Sequence, residues 1–168
     1  MSALVINKDG KENEKGKNPL AANEEIEYVD YEDERMLDDI QILVSKDLSE
    51  PYSVFTYRYF VHNWPNLSIC VYAKNKETNE RKMIGTIVCK ADTEFGYMAG
   101  YIAMLTVDKE YRHFGIGSKL VNMGLERMVE MGCLEIILET EVRHIHFSPR
   151  IFFPDIFSTS NRLPMKQH

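Results

Sequence analysis

The sequence predicts a mixed α/β domain: a central mixed sheet, part antiparallel and part parallel, with flanking helices. Three observations carry this. Three short apolar runs between positions 68 and 107 are joined by short polar turns, so the strands are antiparallel neighbours. Residues 102–107, a helical pattern from Gly115 and an apolar run at 134–138 form strand, helix, strand. A crossover of that length makes the two strands parallel, with the helix on one face. Finally, 44% of the 168 residues are hydrophobic, enough to build the core of one domain.

Taken in order, residues 1–27 are polar, lack aromatics and show no period, which predicts a disordered tail. Between 33 and 47 the apolar residues Met36, Leu37, Ile40, Leu43 and Val44 fall three and four apart, one face of an amphipathic helix. Ser49 suits the cap of a second helix and Pro51 its first turn. In that helix Tyr52, Phe55 and Tyr59 share a face, with Tyr57 and Phe60 near it. Packing explains most of these aromatics; the other reading is that some line a pocket for an apolar group. Trp64-Pro65-Asn66 ends the helix. Strands follow at 68–73, 83–90 and 98–107, separated by a charged turn at 74–82 and a loop at 91–96.

After the third strand comes the polar turn Asp108-Lys109-Glu110. The next helix carries Ile116, Leu120, Val121, Leu125, Met128 and Val129 inward, and Gly132 sits where a glycine would end it. The fourth apolar run, 134–138, leads straight into Glu139-Thr140-Glu141. A carboxylate at the C-terminal end of a parallel strand lies on the edge where α/β proteins place ligands. It is equally a solvated strand end. Residues 143–168 do not continue the pattern; Pro149, Pro154 and Pro164 interrupt them, and 152–157 adds one strand or helical turn at most. His144 and His146 read as an incidental pair in a loop rather than a metal pair.

Composition excludes several classes. A net charge of −6 argues against a nucleic-acid binder. No apolar run approaches the roughly 20 residues of a membrane span. The first residues show no apolar signal-peptide core, and Ser2 does not fit N-myristoylation. Cys70, Cys89 and Cys133 are odd in number and widely spaced, so neither a disulfide framework nor a zinc site is indicated. Reduced thiols in a cytoplasmic protein are expected.

One motif speaks to chemistry. Arg112-His113-Phe114-Gly115-Ile116-Gly117 is an Arg-x-x-Gly-x-Gly loop between strand and helix. Glycine lets the backbone turn tightly and approach a ligand, and the free N–H groups of a first helical turn favour phosphate or pyrophosphate. The spacing is neither Gly-x-Gly-x-x-Gly nor a Walker loop. By itself it also fits a strand-to-helix turn with no ligand.

Together with that loop, several strings carry a resemblance: residues 47–53, Asp-Leu-Ser-Glu-Pro-Tyr-Ser; 57–60, Tyr-Arg-Tyr-Phe; Trp64-Pro65; 88–90, Val-Cys-Lys; 100–105, Gly-Tyr-Ile-Ala-Met-Leu; and 138–142, Leu-Glu-Thr-Glu-Val. The chain resembles the GCN5-related N-acetyltransferases (GNAT), and among them the catalytic chains of NatC-type protein N-terminal acetyltransferases, over about residues 31–142. The resemblance implies a GNAT domain at 28–142 and acetyl transfer from acetyl-CoA, as co-substrate and with no metal, to the α-amine of proteins starting with Met and a bulky apolar residue. It implies nascent or short protein N-termini and the auxiliary subunits of a NatC-type complex as partners.

It also implies roles. Leu105, Thr106 and Val107 would pair with the pantetheine arm. Arg112, His113, Phe114, Gly115, Ile116, Gly117 and Ser118 would hold the pyrophosphate. Leu48, Pro51 and Tyr52 would wall the first-side-chain pocket, Glu50 and Tyr101 would bind the N-terminal segment, and Glu139 would be the catalytic carboxylate.

The chain departs from the family after Val142. The family's Asn-x-x-Ala-x-x-x-Tyr helix, with its general-acid Tyr, and its last two strands have no counterpart in 143–168, and no Tyr follows Tyr111. The departure predicts an exposed sheet edge, an exposed half of the cofactor groove, weakened stability and impaired or lost catalysis. Two alternatives follow: an impaired isoform retaining only partner or acetyl-CoA binding, and an acyl-CoA transferase acting on small amines.

Overall fold

The computed structural model describes residues 23–47, 50–94, 96–139 and 144–147, with backbone only at 94, 139 and 144–147. Among them, six strands form one sheet in sequential order: β1 (Glu24–Asp30), β2 (Ser68–Asn75), β3 (Arg81–Glu94), β4 (Tyr97–Val107), β5 (Glu135–Glu139) and β6 (His144–Phe147). The pairs β1–β2, β2–β3 and β3–β4 are antiparallel, and β4–β5 is parallel, as the connection lengths predict. The mixed α/β class and the strand-helix-strand unit are both present.

Helices cover both faces. α1 (Glu34–Ser45) starts at Asp33, whose carboxylate accepts the amides of Arg35 and Met36 at 2.9 and 3.4 Å. Such a cap satisfies donors that a first turn otherwise leaves free. Leu37, Ile40, Leu43 and Val44 turn inward. With Tyr57 and Val61 of α2 (Val54–Asn63) they pack on Cys70, Tyr72, Val88 and Met104. On the other face, Ile116, Leu120, Leu125 and Met128 of α3 (Ile116–Glu130) pack on Val71, Ile87, Ile102 and Ile136.

Four local expectations need correction. β1 begins at Glu24, inside the expected tail; Ile26, Tyr28 and Val29 supply enough apolar surface to dock on β2 despite the acidic residues between them. β3 runs through Glu94 instead of stopping at Lys90, because β4 pairs with it down to Glu94↔Tyr97. α2 is capped at Ser53, so Pro51 and Glu50 precede the helix; Ser49 lies outside the described residues. The face shared by Tyr52, Phe55 and Tyr59 is the outer one. Phe55 is 75% exposed, while Tyr57 is buried.

The strand β6 is the fourth correction. It pairs antiparallel with β5 from Ile136↔Phe147 to Glu139↔His144, so the chain past Val142 covers the edge of β5 over these four pairs. His-Ile-His-Phe alternates at period two, but four residues are too short a signal to separate from a loop. His144 and His146 therefore sit on a strand.

Candidate functional site

The site is organised by a change in partners along β4. From Ala99 to Ile102 that strand is held on both sides, by β3 and by Glu135 to Leu138 of β5. Past Ile102 the described pairs with β5 end, while β3 goes on pairing with Met104 to Val107. At the changeover the register slips: Val88 faces Met104 while Cys89 faces Ile102, leaving Ala103 as an extra residue in β4. This is a β-bulge, and it re-aims the side chains that follow. Gly100 and Ile102 face α3; Ala103 and Met104 both join the α1–α2 layer; Leu105 and Val107 return to the α3 side.

Glu139 is the first position of β5 past the last pair with β4, Leu138↔Ile102. Glu139, expected from the sequence to be catalytic, thus lies where the two strands part, level with the bulge.

Past β4, Asp108 donates its amide to the Ile84 carbonyl at 2.7 Å and begins a short 3₁₀ turn, Lys109–Tyr111. His113 and Gly115 both adopt left-handed backbone, with φ of 72° and 75°. Glycine accepts that region freely; at histidine it costs energy, and such strain gathers at functional sites. No side chain caps α3, and the Lys119 amide makes its bond to the Gly115 carbonyl at 2.9 Å. The amides of Ile116, Gly117 and Ser118 therefore open the helix with no carbonyl a turn behind them. A Cβ at Gly117 would lie 3.7 Å from Val107, so this first turn abuts the end of β4.

The structure brings Leu105, Thr106, Val107, Arg112, His113, Phe114, Gly115, Ile116, Gly117 and Ser118 into one continuous strand-loop-helix unit. Tyr101 lies on β4 two residues before the bulge, with the Lys90 ammonium 5.8 Å from its ring centroid. Glu50, Pro51 and Tyr52 lie in the connection between α1 and α2, all exposed, and Tyr52 packs edge-on to Tyr57 at 6.0 Å. Leu48 lies outside the described residues.

Arg112 is already engaged. Its Nε donates to the Val107 carbonyl at 2.9 Å, and its other end reaches Asp47 Oδ2 at 2.5 Å. Asp47 is a residue that sequence reasoning missed. It also accepts from Thr106 Oγ1 at 3.2 Å and faces the Lys109 ammonium at 3.7 Å. One signal was available: a carboxylate two residues past a helix end opposes the dipole unless a cation meets it.

The cysteines are poor nucleophiles. Burial pushes the Cys70 thiol up to about 12 and the Cys133 thiol up to about 11, and raises Cys89 as well. All three are protonated at neutral pH. No group of three metal-ligating side chains gathers among the described residues, nor is any described helix long and apolar enough to cross a membrane.

The acetyltransferase (GNAT) family model matches residues 37–147, and the chain belongs to that family. Within it, the chain is 51% identical over 118 residues to N-alpha-acetyltransferase 30 of Homo sapiens. It is 49% identical over 118 residues to N-alpha-acetyltransferase MAK3 of Arabidopsis thaliana. Each match covers 70% of this chain, but 31% of the human and 59% of the plant relative. The chain thus spans about a third of the human relative's length.

Among solved structures, a chain of the NatC complex bound to Gag peptide and CoA matches with a TM-score of 0.64 at 41% identity, over 71% of this chain and 76% of that one. Arabidopsis thaliana Naa50 in complex with the bisubstrate analogue CoA-Ac-MVNAL matches with a TM-score of 0.54 at 26% identity, over 69% and 71%.

Proposed function

We propose that this chain transfers acetyl from acetyl-CoA to the N-terminal α-amine of proteins, those beginning with Met and a bulky apolar residue first among them. The observation that carries the reading is the left-handed turn at His113 and Gly115, which leads from β4 into the start of α3. The amides from Gly115 to Ser118 offer a concentrated positive dipole to the diphosphate, and Leu105, Thr106 and Val107 lie on the strand that feeds this turn, for the pantetheine arm to run along. The sequence relatives share the name of this activity, and the solved relatives hold CoA, peptide or a conjugate of the two. On the same analogy the chain works with auxiliary subunits of a NatC-type complex; reduced thiols point to the cytoplasm.

The chemistry asks little of the protein. An α-amine has a pKa of about 7.7–8.0, so a good share is neutral at cellular pH. Its nitrogen attacks the thioester carbonyl; the N–C bond forms, the C–S bond breaks and the sulfur leaves with the electron pair. Glu139 takes the proton from the amine, directly or through water. Glu50 and Tyr101 hold the peptide's first residues, and Leu48, Pro51 and Tyr52 receive the first side chain. Buried neutral thiols fit a direct transfer with no cysteinyl intermediate.

A second reading has one observation in its favour: no tyrosine occurs in 112–168 to protonate the leaving sulfur. On that reading the chain binds acetyl-CoA or partner subunits without turnover. Calorimetry with acetyl-CoA and turnover of a Met-Leu peptide separate the two. Transferase function predicts binding and turnover, with Glu139→Gln lowering kcat by roughly 10²- to 10⁴-fold at intact acetyl-CoA affinity. Binding without turnover, with partner subunits added, selects the second reading. Absence of acetyl-CoA binding overturns the first.

A further inference from the structure

We propose that Asp47 is the positioning residue that couples the peptide side of the site to its acetyl-CoA side, through Arg112 and Thr106. The inference rests on the acetyl-transfer reading above and assigns a role within it. Asp47 lies three residues before Glu50 and five before Tyr52, the segment assigned to the peptide. Thr106, from whose hydroxyl it accepts at 3.2 Å, belongs to β4 past the bulge. Arg112, held at 2.5 Å, opens the glycine loop and reaches back to the Val107 carbonyl. One carboxylate therefore fixes the peptide-side connection against both the strand and the loop assigned to acetyl-CoA.

Its surroundings suit a fixed contact. The Asp47 side chain is 23% exposed. Lys46 and Lys82 spend their charge on Asp108 instead, at 3.5 and 3.4 Å, leaving Arg112 as its close cationic partner and Lys109 at 3.7 Å as the looser one. Such a tether matters because a peptide-side connection held in place before the peptide arrives loses less ordering freedom when it binds.

Asp47→Asn keeps the volume and an acceptor for Thr106 while removing the charge that holds Arg112. The expected result is opposite behaviour of the two substrates. Peptide KM rises roughly tenfold with kcat changed less than about threefold, because a bound peptide still reacts. Acetyl-CoA affinity stays level or tightens, since a released Arg112 stands near the diphosphate. A merely structural residue would weaken both together and lower the melting temperature. That pattern, or an unchanged peptide KM, overturns the proposal. Thr106→Val, a milder probe, should shift peptide KM in the same direction by roughly two- to threefold.

Should the unaltered chain bind no acetyl-CoA, the transferase reading fails, and amide exchange still tests the coupling. Asp47→Asn should then speed exchange at 50–53 and 104–107 and leave 120–129 unchanged. Unaltered exchange at 50–53 overturns the coupling.

Discussion

The two halves of β4 are built by different physics. The half at Ala99 to Ile102 is a core strand: both edges are paired, Gly100 lies under Met128, and Ile102 is 2% exposed. The half at Met104 to Val107 pairs with β3 and is fixed at its end by polar contacts, Thr106 and Arg112 to Asp47 and Lys46 and Lys82 to Asp108. Packing is insensitive to pH and salt, whereas partly exposed charge contacts are screened and titrate. The comparison teaches that tight packing holds the first half and polar contacts hold the second, where the proposed acetyl-CoA site lies, with the bulge at Ala103 as the boundary.

The largest effect should come from overpacking the closed half. A Cβ at Gly100 would stand 2.6 Å from Met128 Sδ and 3.1 Å from Ile136 Cγ1. Met128 and Ile136 are both fully buried and have nowhere to retreat. Gly100→Val should therefore cost roughly 2–3 kcal/mol, read as a fall in melting temperature of about 4–12 °C. A melting temperature within a degree of the parent would show that this half is less tightly packed than the register implies.

A smaller but more targeted effect is expected at Gly115. Nothing stands within 4 Å of a Cβ there, so any cost is conformational, arising from φ of 75°. Gly115→Val should cost about 1–2 kcal/mol in stability. The loss of acetyl-CoA affinity should exceed that cost, roughly a hundredfold, because the amides at 116–118 take their aim from this residue. Equal losses in stability and affinity would mean that the loop is only a connector.

Much of this was legible in the sequence where one period dominates. Leu37, Ile40, Leu43 and Val44 are all buried as their spacing predicts, and so are Ile116, Leu120, Leu125, Met128 and Val129. Short connections foretold the antiparallel pairs, and the crossover helix the parallel one. What sequence missed was set by tertiary contact. The bulge at Ala103 leaves no local mark, since Tyr-Ile-Ala-Met-Leu reads as an uninterrupted strand. Asp47 looks like one acid among 26 until Arg112, 65 residues away, is brought to it. β1 and β6 are strands because a neighbour offers them an edge, with little in their own composition to demand it.

The smallest expected effect separates the halves by charge alone. Burial pushes the Asp108 carboxyl up, but the Glu110 amide and the ammonium groups of Lys82 and Lys46 more than offset this, so it titrates below its usual value. A group lowered in the folded state contributes stability that is complete above the unfolded pKa, about 3.9 for Asp. That contribution fades as the pH falls through this value toward the lower folded one. The amount is at most about 1 kcal/mol, as for other surface-linked pairs. Between pH 6 and pH 3, amide protection measured against the intrinsic exchange rate at each pH should fall more at 104–112 than at 99–102, because the first segment loses a charged anchor at Asp108. Asp108→Asn should remove the difference at pH 6 while leaving 99–102 as protected as before. An equal fall in protection in both segments would mean that acid loosens the sheet as a whole and that the division at Ala103 does not extend to stability.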